Sequence, residues 1–262
     1  MTNLAETQTQ LLSVQKAPPA KRFFTLKRLY TPILVVAALG GLLIFLGVRG
    51  EPDKIEAFAL NWPYMMARVG EHIVLALTAT LLVAIIAIPV GIILSHTRNR
   101  WVRGFVLGIA NMGQSTPAVG VIILFALIFG IGVPTAISAL VLYALLPVLR
   151  NTMVGISQID ASVIESARGM GMTTMQILKR VELPLAVPVI LAGFRTALVF
   201  SVGVATIATF INAGGLGEAI IVGLKLSRPS VLITGAIVVS CIALLMDWLA
   251  GLAEDRLRPK GV

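Results

Sequence analysis

The chain has 262 residues, 57% of them hydrophobic and only 13% charged, and its mean hydropathy is +0.95. A soluble domain carries about a quarter of charged residues, so that class is excluded. The net charge of +9 is spread between apolar runs and not gathered on one basic face, which argues for membrane topology and against a nucleic-acid partner. A single cysteine, Cys241, lies inside an apolar run and rules out an internal disulfide or a cysteine-rich metal cluster.

Residues 1–30 are polar, with Lys16, Pro18, Pro19, Lys21, Arg22, Lys27 and Arg28, and are read as a disordered cytoplasmic tail. The first apolar run, residues 31–48, follows a long leader and has no small-x-small cleavage site before Arg49. It is therefore read as a retained transmembrane helix and not as a signal peptide. Further runs follow at 72–95, 102–131, 133–155, 185–211 and 231–253, giving an expected six spanning helices, several long enough to tilt. His72 and His96 stand at the two ends of one run and read as interfacial residues.

Orientation follows from the basic residues. With the tail inside, fifteen Lys and Arg fall on the inner side and five on the outer side, with Arg195 left inside a span. The excess places both termini in the cytoplasm. Tyr30, Trp101 and Trp248 then lie near inner boundaries, and Trp62 and Tyr64 near an outer one.

The longest inner loop, residues 160–184, carries "ESARGMGMTTMQILKRVELP". Ser162 to Glu165 and Thr173 to Gln176 each fit a capping box, so two short helices are expected. Gly169 and Gly171 loosen the joint between them, and Pro184 ends the second while presetting the next span. Met175, Leu178 and Val181 give the second helix an apolar stripe that asks for a partner.

The spacing in this loop resembles the E-A-A-x3-G-x9-I-x-L-P signature of ABC-importer permeases. Glu165, Ala167, Gly171, Leu183 and Pro184 match in register, while Ser166 stands for Ala and Val181 for Ile. The strings "GQSTPAVGVIILFALIFGIG", "YALLPVLRNTMVGISQID" and "FINAGGLGEAIIVGLK" look like those of permeases that import glycine betaine, choline or carnitine. The resemblance covers residues 71–256 and implies an all-α, type I ABC-importer permease fold in the bacterial inner membrane. It also implies that the loop docks in a groove of a separate ATPase subunit, two such subunits holding ATP and Mg in the complex, this chain itself binding no cofactor and no metal and catalysing no reaction. The lack of a G-x4-G-K-[S/T] string agrees with an external motor.

Six spans are few to enclose a path, so a second permease copy or a homologue is expected about a twofold axis. Quaternary ammonium groups are held by aromatic faces, yet only 6% of residues are aromatic. Substrate choice is therefore assigned to an extracytoplasmic binding protein docking near residues 49–70 and 212–228.

Other residues leave alternatives open. Glu165 is either a helix cap or part of the docking surface, and the two are compatible. Arg195 deep in a span is either paired, with Asp247 for example, or part of the translocation path. Asn111, Gln114, Ser115 and Thr116 before Pro117 point to a broken helix facing protein or a water-filled cavity; Asn212 opens a glycine-rich segment that either borders the path or packs helices. Rival classes are an amino-acid importer of the same kind, an ATPase-independent secondary transporter, and an intramembrane enzyme, for which no catalytic motif is present.

Overall fold

The structure, a computed structural model, describes residues 24–257. Most of the expected tail, residues 1–23, lies outside the described residues, as do residues 258–262. The described chain is helical throughout, with no strand. It comprises α1 (Phe24–Val48), α2 (Lys54–Ala59), α3 (Trp62–His96), α4 (Arg100–Ser115), α5 (Ala118–Phe129), α6 (Val133–Ser157), α7 (Ala161–Gly169) and α8 (Thr174–Ile177). A π-helical turn, Leu178–Glu182, then leads into α9 (Leu183–Ala205), a 3-10 turn (Thr206–Ile211), α10 (Gly217–Lys225) and α11 (Pro229–Leu257).

Among the described residues five stretches are long and apolar enough to cross a membrane, and a sixth is a pair bent by 107°. That pair, α4 and α5, is the broken helix expected before Pro117 within the 102–131 run, and the count of six spans is reached when the bent pair is taken as one. Pro117 has no N–H and pushes Thr116 out of the helical region, to ψ 140, so the chain turns there. At 1.5 Å per residue, α5 is about 18 Å long, too short to span about 30 Å of hydrocarbon alone.

Helix ends also move. α1 begins at Phe24 and not Thr31, because backbone hydrogen bonding continues past the apolar stretch that hydropathy detects. α3 begins at Trp62, ten residues ahead of the predicted start, and at about 52 Å it overshoots the bilayer. His72 is consequently internal and fully buried, with its Nε2 3.0 Å from the Val202 carbonyl; it is not an interfacial residue.

The centre of the bundle is the mutual packing of α3, α6 and α9. Small residues allow it: a Cβ on Gly193 of α9 would lie 2.6 Å from Asn151 Cβ and 2.8 Å from the Pro147 carbonyl of α6. One apolar cluster, including Val83, Ala87, Leu94, Ala110, Leu149 and Met153, fills the half near the 160–184 loop. Another, including Leu75, Ala79, Ile122, Leu140 and Ala208, fills the opposite half. α11 packs on α9 and α10, and α1 lies outermost against α11. In α1, Val35 and Leu42, seven apart, are buried, while Ile33, Val36, Leu43 and Ile44 are exposed, a side that suits lipid.

Candidate functional site

The 160–184 loop folds into a compact elbow whose joints follow from its sequence. Asp160 caps α7, its Oδ1 accepting from the Ser162 N–H at 2.8 Å. That N–H holds the Asp160 carboxyl below its usual range. The expected Ser162–Glu165 box is therefore corrected: the cap sits two residues earlier, where the shorter acid reaches the first turn. Glu165 and Ser166 are exposed on α7, whereas Ala167 is buried at 2% exposure.

Gly171 ends the helix. Its φ of +80 lies in the left-handed region, its N–H donates to the Arg168 carbonyl at 2.9 Å, and the Met172 N–H donates to the Ala167 carbonyl at 3.2 Å. This is a Schellman arrangement, in which the left-handed position favours glycine and the small buried Ala167 receives the returning chain. The second expected capping box is present: Thr173 Oγ1 accepts from the Gln176 N–H at 3.4 Å, and Gln176 Oε1 accepts from the Thr173 N–H at 2.8 Å.

Beyond Ile177, which is buried, the helix does not stop at Pro184 as expected. It widens into the π turn, where the Leu183 N–H donates to the Leu178 carbonyl, and continues as α9. The wider turn relieves the clash and missing donor that Pro184 would impose on an ordinary helix. Residues Thr174–Ile211 thus form one helical run of 38 residues. The apolar stripe is split by the turn: Leu178 and Val181 are half-buried, while Met175 is 58% exposed. Met170, 71% exposed, and Val163 join Met175 as apolar groups on the elbow's surface, among the exposed Arg168, Lys179 and Arg180.

Glu182 occupies the unspecified position of the matched spacing, and the helical pattern sets it with Lys179 and Arg180 on the polar side of the second helix; the structure differs. Glu182 is buried, and its Oε2 lies 3.0 Å from Nε2 of His96 at the end of α3. His96 Nδ1 in turn lies 3.0 Å from the Ile92 carbonyl. An acid within an otherwise apolar "VELP" at a helix join was the available signal. The pair pins the elbow to α3 as well as to α9.

The other singled-out residues fall in three separate places. Asn111, Gln114, Ser115 and Thr116 cluster at the α4–α5 break; Asn111 Oδ1 accepts from Arg150 at 3.4 Å and Thr116 Oγ1 donates to the Met112 carbonyl at 2.8 Å. Asn111, Ser115 and Thr116 are exposed and Gln114 is half-buried. Arg195 pairs with Asp247, and Glu254 stands 3.8 Å away, which is the paired alternative. Asn212 takes the left-handed conformation, φ 59, and closes the 3-10 turn, a structural reason for that residue type.

At the opposite end of the bundle, the two expected outer segments form one surface. Arg68 Nη1 lies 2.9 Å from both Glu71 and Glu218, and Glu71 accepts from the Gly215 N–H at 2.9 Å. Asp53 meets Arg228 at 2.6 Å, Arg49 meets Glu56 at 3.0 Å, and Ser230 donates to Glu56. Arg228 helps hold the Asp53 carboxyl below its usual range, after the N–H of Glu56. Phe58, Trp62 and Leu224 are exposed beside these pairs. Among the described residues no group of three His, Cys, Asp or Glu is placed to hold a metal.

Residues 87–259 match the family of binding-protein-dependent transport system inner membrane components. The chain belongs to that family. This permease is 38% identical over 208 residues to the choline transport system permease protein OpuBB of Bacillus subtilis (strain 168), covering 79% of this chain and 95% of the relative. It is 40% identical over 208 residues to the carnitine transport permease protein OpuCB of Listeria monocytogenes, covering 79% and 94%. It is 38% identical over 215 residues to the osmoprotectant import permease protein OsmW of Salmonella typhimurium, covering 80% and 99%. Among solved structures, a chain of the MetNI methionine ABC transporter in an inward-facing conformation superposes with a TM-score of 0.68 at 23% identity, covering 79% of this chain and 100% of that one. At that identity the likeness shows the fold, that of a type I ABC-importer permease. The all-α expectation and the placement in the inner membrane as a multi-pass protein both hold.

Proposed function

We propose that the chain is the membrane-spanning permease subunit of an ATP-driven importer for a small osmoprotectant such as glycine betaine, choline or carnitine. The observation that carries this reading is the elbow: its spacing matches the importer signature, and it presents Val163, Met170 and Met175 to solvent among exposed Arg168, Lys179 and Arg180. Exposed apolar groups of this kind mark a docking surface. Glu165, Ser166, Ala167, Gly171, Val181, Leu183 and Pro184 form or shape the contact with the ATPase, and each of two ATPase subunits, holding ATP and Mg, engages one elbow. Both termini lie on the ATPase side.

A second permease copy completes the path, bordered by Asn111, Gln114, Ser115 and Thr116, while Arg195 and Asn212 serve the walls through the pairing and turn described above. The ion-paired outer surface, with Phe58 and Trp62, receives an extracytoplasmic binding protein that selects the substrate. Relatives named for choline and carnitine transport at 38% and 40% identity favour osmoprotectants over amino acids, because the methionine transporter shares the fold alone.

The test is reconstitution with the ATPase and the binding protein in vesicles. ATP-driven uptake of radiolabelled glycine betaine, choline or carnitine is expected, and Glu165→Arg should abolish it while the protein still inserts. Undiminished uptake by Glu165→Arg, or uptake that needs no ATPase, would defeat the reading.

A further inference from the structure

Between Glu71 and Asp160 the sequence has no Asp or Glu, yet it carries Arg98, Arg100, Arg103 and Arg150. The fold gathers these four at one place. A cleft of about 210 Å³ between the end of α3, α4 and α6 is lined by Ser95, Arg103, Leu107, Arg150, Met153 and Ser157 among others. A second hollow, which shares Arg103 and Leu107, adds Arg98 and Arg100. All four arginines are exposed, and none has a carboxylate partner among the described residues; Arg150 makes only the contact to Asn111. By contrast Arg49, Arg68, Arg195 and Arg228 each meet an acid. The helices that build the cleft contain no acid that a rotamer change would bring in.

The setting selects the anion. The cleft lies where α3 and α6 end and α4 begins, at the end of the bundle that carries the elbow. Trp101 and Phe105, four apart and so on one face of α4, are 79% and 70% exposed. Arg100, Arg103 and Leu107 occupy the adjoining face at helical spacing. Guanidinium forks match phosphate oxygens in geometry and charge, and exposed aromatic rings at a helix start suit the boundary between headgroup and acyl chain. A soluble anion would use the forks and leave the rings bare; a phospholipid uses both. We propose that this cleft binds the phosphate headgroup of an anionic phospholipid, with its acyl chains covering Trp101 and Phe105.

Trp101 provides a direct readout that does not depend on transport. In the full chain carrying Trp62→Phe and Trp248→Phe, Trp101 is the remaining tryptophan. Placed in phosphatidylcholine vesicles, its fluorescence should be quenched more by a minor fraction of brominated phosphatidylglycerol than by the same fraction of brominated phosphatidylcholine. Each Arg→Gln change at 98, 100 or 103 should lower that preference by roughly fivefold, the equivalent of about 1 kcal/mol per basic residue near an anionic surface. The corresponding Arg→Lys changes should keep much of it, and excess inorganic phosphate should leave it unchanged. Arg150→Gln, away from the α4 N-terminus, gives the same test should a variant at 98, 100 or 103 fail to insert.

Equal quenching by the two lipids would overturn the proposal, as would a phosphatidylglycerol preference that survives every Arg→Gln change. Displacement by inorganic phosphate would reassign the cleft to a soluble anion. Loss of ATPase assembly in the Gln variants with quenching unchanged would reassign it to an acidic protein surface.

Discussion

The two ends of this bundle treat their charges in opposite ways. At the end away from the elbow Arg49, Arg68 and Arg228 are each matched to an acid, and the pairs lock α2, α3, α10 and the start of α11 into one piece. At the elbow end Arg98, Arg100, Arg103, Arg168, Lys179 and Arg180 are exposed without an acid partner among the described residues, and Met170 and Met175 lie open. The difference teaches where each end obtains its order. One end satisfies its arginines within the chain; the other leaves its cations and methionines open, which is what the proposed docking of a motor requires.

The sharpest way to break this contrast is at Gly171. A β-branched side chain in the left-handed region costs about 1–2 kcal/mol, and Gly171→Val adds that strain where the elbow turns. ATP-driven uptake should fall by roughly tenfold while insertion and thermal midpoint stay near those of the parent. Full uptake by the variant would mean that the turn is not where the motor engages.

An intermediate effect is expected at the other end. Arg68→Met leaves Glu71 and Glu218 facing each other, a loss of about 1 kcal/mol for a partly exposed network. Uptake at limiting binding protein should drop several-fold, with ATP hydrolysis in the absence of binding protein unaltered. A change in that basal hydrolysis and not in uptake would reverse the roles assigned to the two ends.

The smallest effect concerns pH at the elbow. Because the folded Asp160 carboxyl titrates below its unfolded value, its cap is fully present above the ordinary carboxylate range and is lost as pH falls through the lowered folded value. Amide protection relative to the intrinsic exchange rate in the first turn of α7 should therefore fall only in strongly acidic solution, and Asp160→Asn, which keeps the acceptor, should remove that dependence. Protection insensitive to acid in the parent would show that Asp160 is not the operative cap.

Much of this architecture was legible in sequence because apolar runs, basic loops and a spaced motif each report a single physical requirement. The positions of α6 and α11, the helical pair at 160–184 and the Thr173–Gln176 box follow from such local rules. Other features depend on atoms far apart in the chain. Nothing near His72 announces that Val202 will meet it, and hydropathy cannot separate a helix that leaves the bilayer from one that ends there. The bend at Pro117 was signalled by its polar approach, but the angle is set by packing of α5 on α6 and the 3-10 turn. The burial of Glu182 is not legible locally because its partner His96 lies 86 positions earlier, a separation no periodicity records.

The uninterrupted run from Thr174 to Ile211 carries a mechanical consequence. About 57 Å long, it is anchored twice, at Glu182 by His96 and at mid-length by the close approach of Gly193 to α6. The elbow therefore has no swivel of its own relative to α9: a load applied to it, as the proposed function requires, passes straight into the middle of the bundle, and the turn Leu178–Glu182 is the stretch through which that load must travel.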